Sequence, residues 1–221
     1  MENKESSLSL DLDRDGNTLL IIFGGIQSGL GIPPFEFKRI TDSLPVKLIF
    51  IRDLSQAWYH LELPSIGNGI NDIILTIESI KQQTNYSKVV CIGNSMGGYA
   101  ALLIGSLIQA DQVLSFVPQT FISKWLRIIN FDNRWKEQIN KLHKNSSISK
   151  QMFDLKVFLK NPEYKKAIIF SDRNNRLDAL HASRLKSLPR TTIEWRDGGH
   201  SLIKQLRDNG ELQKILIDSC S

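Results

Sequence analysis

Ser95 stands between glycines at 93 and 97, in the run Gly93-Asn94-Ser95-Met96-Gly97-Gly98. Residues 89–92 before it are apolar and β-rich, and residues 99–107 after it are rich in Ala and Leu. A serine on a sharp strand-to-helix turn needs small neighbours two residues to either side, because larger side chains would collide across the turn. The helix that follows aims its free N–H groups at whatever the serine attacks. The chemistry in view is nucleophilic attack by a hydroxyl. The competing reading is an ordinary glycine-rich turn. The apolar strand, the extra glycine and the small-residue helix favour the nucleophile. A phosphate loop is disfavoured, since no Gly-Lys-Ser/Thr ending is present.

A serine hydroxyl is a weak nucleophile at neutral pH and needs a base, which in turn needs an orienting acid. Of four histidines, His143 lies on a polar basic segment and reads as solvated. His60 falls in a loop and His181 inside a predicted helix. His200, in Asp197-Gly198-Gly199-His200-Ser201-Leu202, follows the last predicted strand and comes after the serine, in the chain order serine, acid, histidine. It is the expected base. The acid is expected after the strand at 167–170, where Asp172 and Asp178 compete. Asp172 also reads as a turn or salt-bridge residue, and Asp178 as a helix N-cap.

The elements that must position these groups follow from periodicity. Apolar runs predict strands at 18–23, 46–51, 89–92, 112–117, 167–170 and 191–195. Ile70, Ile73, Ile74, Ile77 and Ile80 predict a helix over 70–82. Pro33-Pro34 predicts a short helix over 35–43, and 201–219 holds the last helix. Residues before Asn17 read as a loose arm or short edge element. Alternating strand and helix predict an α/β fold: a mostly parallel sheet of about six strands with helices on both faces. Reactive groups in such sheets gather at the carboxyl ends of the strands.

The 221 residues, 41% hydrophobic and 23% charged, suit one soluble domain over 1–221. No run of about 18 apolar residues predicts a membrane span, and the polar N-terminus lacks the pattern of a secretory signal. Cys91 and Cys220 are not expected to pair, and a cytoplasmic location is expected. The net charge of +5 is unevenly placed. Residues 119–166 hold eleven Lys/Arg against four Asp/Glu, a net +7, leaving −2 elsewhere. This segment predicts a small helical cap inserted in the domain. Its charge reads as a solvated face, or as attraction for an acidic substrate or carrier. Nucleic-acid binding is not expected, because no recognisable module is present. Trp125, Leu126, Ile128, Ile129, Phe131, Trp135, Ile139 and Phe153 are expected to form the cap's own core in preference to an acyl pocket.

The ordered set GNSMGG, FGGIQSG after an early strand, the 171–182 loop and GGHS near the end resembles the α/β-hydrolase superfamily. It is most similar to its small bacterial single-domain hydrolases, across residues 18–203. The resemblance implies an oxyanion hole built from the backbone N–H groups of Met96 and Ile26. It departs in the acid loop, where Asn174 occupies the register in which the superfamily often has Asp. Leu177-Asp178, ahead of Ala182, matches the small bacterial relatives and selects Asp178. The leading expectation is a serine hydrolase acting on a small-molecule carboxylic ester or thioester through an acyl-enzyme on Ser95, with no metal or organic cofactor. An acyltransferase with a non-water acceptor and a non-catalytic binding module on the same fold are the alternatives.

Overall fold

A computed structural model describes residues 5–26, 35–145 and 148–221. Strand β1 (Leu8–Asp11) is followed by β2 (Thr18–Phe23), helix α1 (Lys38–Thr41) and β3 (Lys47–Ile51). The two-residue strands β4 (Glu62–Leu63) and β5 (Gly67–Asn68) precede α2 (Gly69–Gln83). Then come β6 (Lys88–Asn94), α3 (Met96–Leu107) and β7 (Gln112–Phe116). Three short helices, α4 (Lys124–Ile129), α5 (Lys136–Lys144) and α6 (Leu155–Phe158), separate β7 from β8 (Ala167–Ser171). The chain ends with α7 (Arg176–Arg184), β9 (Thr191–Trp195), α8 (Leu202–Asp208) and α9 (Glu211–Cys220).

Among the described residues, seven strands form one sheet in the order β1-β3-β2-β6-β7-β8-β9, parallel except for β1. β4 and β5 make a separate pair. Along β2 every residue is buried, as a strand covered on both faces requires. Its side chains alternate: Leu19, Ile21 and Phe23 enter one core, and Leu20 and Ile22 enter the other. α3 is buried from Met96 to Ser106, which explains its small and apolar composition. Of the two readings of the residues before Asn17, the short edge element holds: Leu8 to Asp11 pair along the free edge of β3 as an antiparallel strand. Two differences from the sequence expectation remain. The single last helix breaks into α8 and α9 at Gly210, whose φ is 79°. The predicted helix over 35–43 shrinks to the four residues of α1. Pro33 and Pro34, invoked to start it, lie outside the described residues.

The register brings the carboxyl ends of the parallel strands level. Phe23 pairs with Ile51 and Gly93, Asn94 with Phe116, Phe116 with Phe170, and Ser171 with Trp195. From β2 the chain moves out to β3, then crosses back over β2 to β6. The crevice between β2 and β6 is therefore the switch point at which parallel sheets bind ligands. Among the described residues, no helix is long and apolar enough to cross a membrane.

Candidate active site

Ser95 occupies the turn between β6 and α3 with φ 55° and ψ −112°, a conformation that costs a non-glycine residue about 1–3 kcal/mol. Its N–H donates to the Phe116 carbonyl at 2.8 Å, and its carbonyl accepts from Tyr99 N–H at 3.1 Å. The flanking glycines answer a need for space. A Cβ on Gly93 would lie 2.1 Å from the Gly97 oxygen, and one on Gly97 would lie 2.1 Å from the Phe23 oxygen.

His200 sits on a short 3₁₀ turn after β9, entered through Gly198 (φ 136°) and Gly199 (φ 57°). Its Nε2 lies 3.1 Å from Ser95 Oγ, and its Nδ1 lies 3.0 Å from Asp178 Oδ1. An ionised Asp178 accepts the Nδ1–H. That leaves the Nε2 lone pair facing the serine hydroxyl. Ser95, His200 and Asp178 are thus brought together from three strand ends.

The two aspartates have separate duties. Asn175 caps α7, its Oδ1 accepting from Asp178 N–H at 3.2 Å, so the Asp178 carboxylate is free to point at His200. Burial alone would push the Asp178 carboxyl up. The hydrogen bond and charge of His200, and then of Arg134, outweigh it and hold the group below the usual range. Asp172 does not touch the imidazole. It accepts the N–H groups of Asn174 (2.7 Å), Gly198 (3.0 Å) and Gly199 (2.7 Å), and these bonds keep it ionised below the usual carboxylate range. Asn174 donates its Nδ2 to Asp197 at 3.4 Å.

Met96 opens α3 directly after the serine and is fully buried. Ile26 is the last described residue of the loop after β2, packed against the larger core. That loop is strapped to the serine turn by the partly buried Glu36. Its two oxygens accept Gly25 N–H at 2.8 Å and Asn94 Nδ2 at 2.9 Å. Burial pushes the Glu36 carboxyl up, against the opposing pull of those two bonds. Tyr59 steadies the same loop, donating its hydroxyl to the Gly24 carbonyl at 2.7 Å.

Arg134, in the segment between β7 and β8, donates to Asp178 Oδ1 at 2.7 Å. It also grips Asp132 through Nε (3.1 Å) and a second guanidinium nitrogen (3.0 Å). Asp132 in turn faces His181 Nε2 at 3.0 Å, and His181 Nδ1 accepts Thr120 N–H at 2.9 Å. This pairing fixes His181 as the neutral Nε2–H form. Burial holds its pKa down to about 4. Sequence reading did not single out Glu36, Asp132 or Arg134. Arg134 meets its partner 44 residues away, and the only local trace is an Asp and an Arg two positions apart in a segment crowded with charge.

Other expectations resolve differently. His143 is not merely solvated: it is partly buried and donates Nε2–H to the Ile122 carbonyl at 2.8 Å. His60 is buried against Tyr99, with Nε2 2.8 Å from the hydroxyl. Trp125, Ile128, Ile129 and Phe131 neither form a core nor enclose a pocket: all four are exposed, Phe131 at 76%. Ile139 and Phe153 are buried, and the Trp135 ring lies 6.5 Å from that of His200. A cavity of about 780 Å³ lies elsewhere, against His60, Ile70, Lys141 and Met152. Among the described residues, no cluster of three or more His, Cys, Asp or Glu could hold a metal.

No protein-family model and no curated protein matches the chain. Solved structures do. The capsule O-acetyltransferase of Neisseria meningitidis serogroup A is 16% identical, covering 93% of this chain and 89% of its own, with a TM-score of 0.67. FphF, a fluorophosphonate-binding serine hydrolase of Staphylococcus aureus, is 16% identical, covering 94% and 85%, with a TM-score of 0.60. Est1E from Butyrivibrio proteoclasticus is 11% identical, covering 95% and 91%, with a TM-score of 0.60. The chain has the α/β-hydrolase fold.

Proposed function

We propose that the protein is a serine hydrolase that cleaves a carboxylic ester or thioester through an acyl-enzyme. The observation that carries this reading is the continuous contact from Ser95 Oγ to His200 Nε2 (3.1 Å) and from His200 Nδ1 to Asp178 Oδ1 (3.0 Å). Ser95 Oγ bonds to the acyl carbon while its proton passes to His200 Nε2. Asp178 stabilises the imidazolium. The N–H groups of Met96 and Ile26 are the proposed donors to the tetrahedral oxyanion, each worth on the order of 3 kcal/mol. Collapse breaks the bond to the leaving alcohol or thiol, which takes the proton from His200. Water then gives a proton to His200 as it attacks the acyl carbon, and that proton returns to Ser95 Oγ as the acid departs.

A second reading sends the same acyl-enzyme to an alcohol acceptor instead of water. The likeness to the meningococcal capsule O-acetyltransferase favours it. Labelling with a fluorophosphonate tests the shared first step: Ser95 takes up the probe and Ser95→Ala does not. Undiminished labelling of Ser95→Ala would refute it. The yield of free acid against transferred acyl, with sugar alcohols present, separates hydrolysis from transfer.

A further inference from the structure

We propose that Arg134 is a positioning residue of the triad, reaching in from the segment between β7 and β8 to hold the Asp178 carboxylate for His200. This rests on the triad reading above. The guanidinium binds the same oxygen, Asp178 Oδ1, that receives the His200 Nδ1–H. Among the described residues, Asp178 Oδ2 is buried without a partner. The carboxylate's rotation is therefore set by His200 on one side and Arg134 on the other.

Arg134 is itself held. Asp132, 2% exposed, accepts two of its guanidinium nitrogens and its backbone N–H. Asp132 is fixed from behind by His181, which is anchored by Thr120 at the exit of β7. Asp178 and His181 lie three residues apart on α7 and so share a face. One side chain serves His200 and the other serves the carboxylate that holds Arg134. A planar fork can bridge two carboxylates in this way; an ammonium group cannot reproduce it.

The charge arrangement gives the proposal a signature beyond loss of rate. Arg127 also faces Asp132, at 3.7 Å. Asp172 lies under the His200 loop, Asp197 sits within that loop against Asn174, and Arg176 donates to the Asn130 carbonyl. Of these groups, Arg134 alone bonds the triad acid. Its positive charge acts on the Asp178–His200 pair, and Asp132 partly cancels that charge. Removing Arg134 therefore moves the acidic limb of the kcat/KM profile to higher pH. Removing the charge of Asp132 moves it to lower pH.

The test measures p-nitrophenyl acetate hydrolysis from pH 5 to 9 in wild type, Arg134→Met, Arg134→Lys, Asp132→Asn and Ser95→Ala. Arg134→Met is expected to lower kcat about 10–100-fold, with KM little changed and the acidic limb raised. Arg134→Lys keeps the limb near its wild-type position and loses kcat several-fold. Asp132→Asn shifts the limb downward. Arg134→Lys with wild-type kcat overturns the proposal, and this variant decides the matter alone if Arg134→Met does not fold. Limbs of the two charge-removal variants that stay in place also overturn it. Wild-type hydrolysis by Ser95→Ala would instead overturn the triad reading, a distinct outcome.

Discussion

Asp172 accepts the backbone N–H of Gly199 at 2.7 Å, one residue from the imidazole that it does not touch. Together with its bond to Gly198, this makes the strand-end aspartate the holder of the His200 loop. Asp178, six residues on, meets the imidazole itself. The two acids are separable by experiment. Asp178→Asn is expected to lower kcat about 10³–10⁴-fold, and loss of its charge against Arg134 also costs stability. Asp172→Asn should cost about 1–3 kcal/mol of stability through its weakened N–H bonds, with kcat within roughly tenfold of wild type. Urea unfolding and ester hydrolysis on both variants check this. The reverse pattern would exchange the two roles.

Glu36 joins the loop after β2 to the turn that carries Ser95, and burial holds its carboxyl above the usual range. A raised folded-state pKa adds stability below the unfolded value, and that stability is lost as pH rises through the folded value. Glu36→Gln removes the ionisable group. Asn94 Oδ1, without a partner among the described residues, can accept the new amide after a flip of the Asn94 side chain. The variant should stay active, and its stability relative to wild type should grow from pH 4.5 to pH 8. Glu36→Ala leaves two donors unpaired and should cost about 1–3 kcal/mol for each that is not rehydrated. Thermal melts at the two pH values decide it, and a Glu36→Gln advantage that shrinks with pH contradicts this account.

His60 and His181 both have pKa values held down to about 4 by burial. The unfolded chain binds their protons near pH 6.5 and the folded chain does not. Stability therefore falls as pH drops from about 6.5 to about 4, by on the order of 3 kcal/mol for each histidine. Glu36 and Asp53, both held above the usual carboxylate range, act in the opposite sense. The clean measurement is consequently the difference between wild type and His60→Gln, whose amide can still donate to Tyr99. Urea midpoints from pH 7.5 to 4 should fall less steeply in His60→Gln, and parallel slopes would remove His60 from the account.

The sheet was legible because its central strands are continuous apolar runs, and their predicted bounds agree with the structure to within a residue or two. β1 was legible only as one of two readings, a loose arm or a short edge element, since Leu8-Ser9-Leu10-Asp11 is short, half-exposed and held by an edge pairing that no local pattern reveals. The serine turn announced itself through the two glycines, a steric demand written within five residues. The role of Arg134 could not be read, because a guanidinium–carboxylate contact across 44 residues leaves no periodicity behind. The exposed Trp125 and Phe131 misled for the opposite reason. Apolar residues in a helical pattern suggest burial, yet α4 and the turn after it turn these rings outward.

The backbone of Ser95, at φ 55° and ψ −112°, sets the fold against its own nucleophile. Glycine would suit that geometry better, and a change to it would relieve strain on the order of 1 kcal/mol or more. A lineage released from any demand for acyl chemistry could drift to glycine here and gain stability by doing so. A serine at this point is an inheritance that thermodynamics alone would discard.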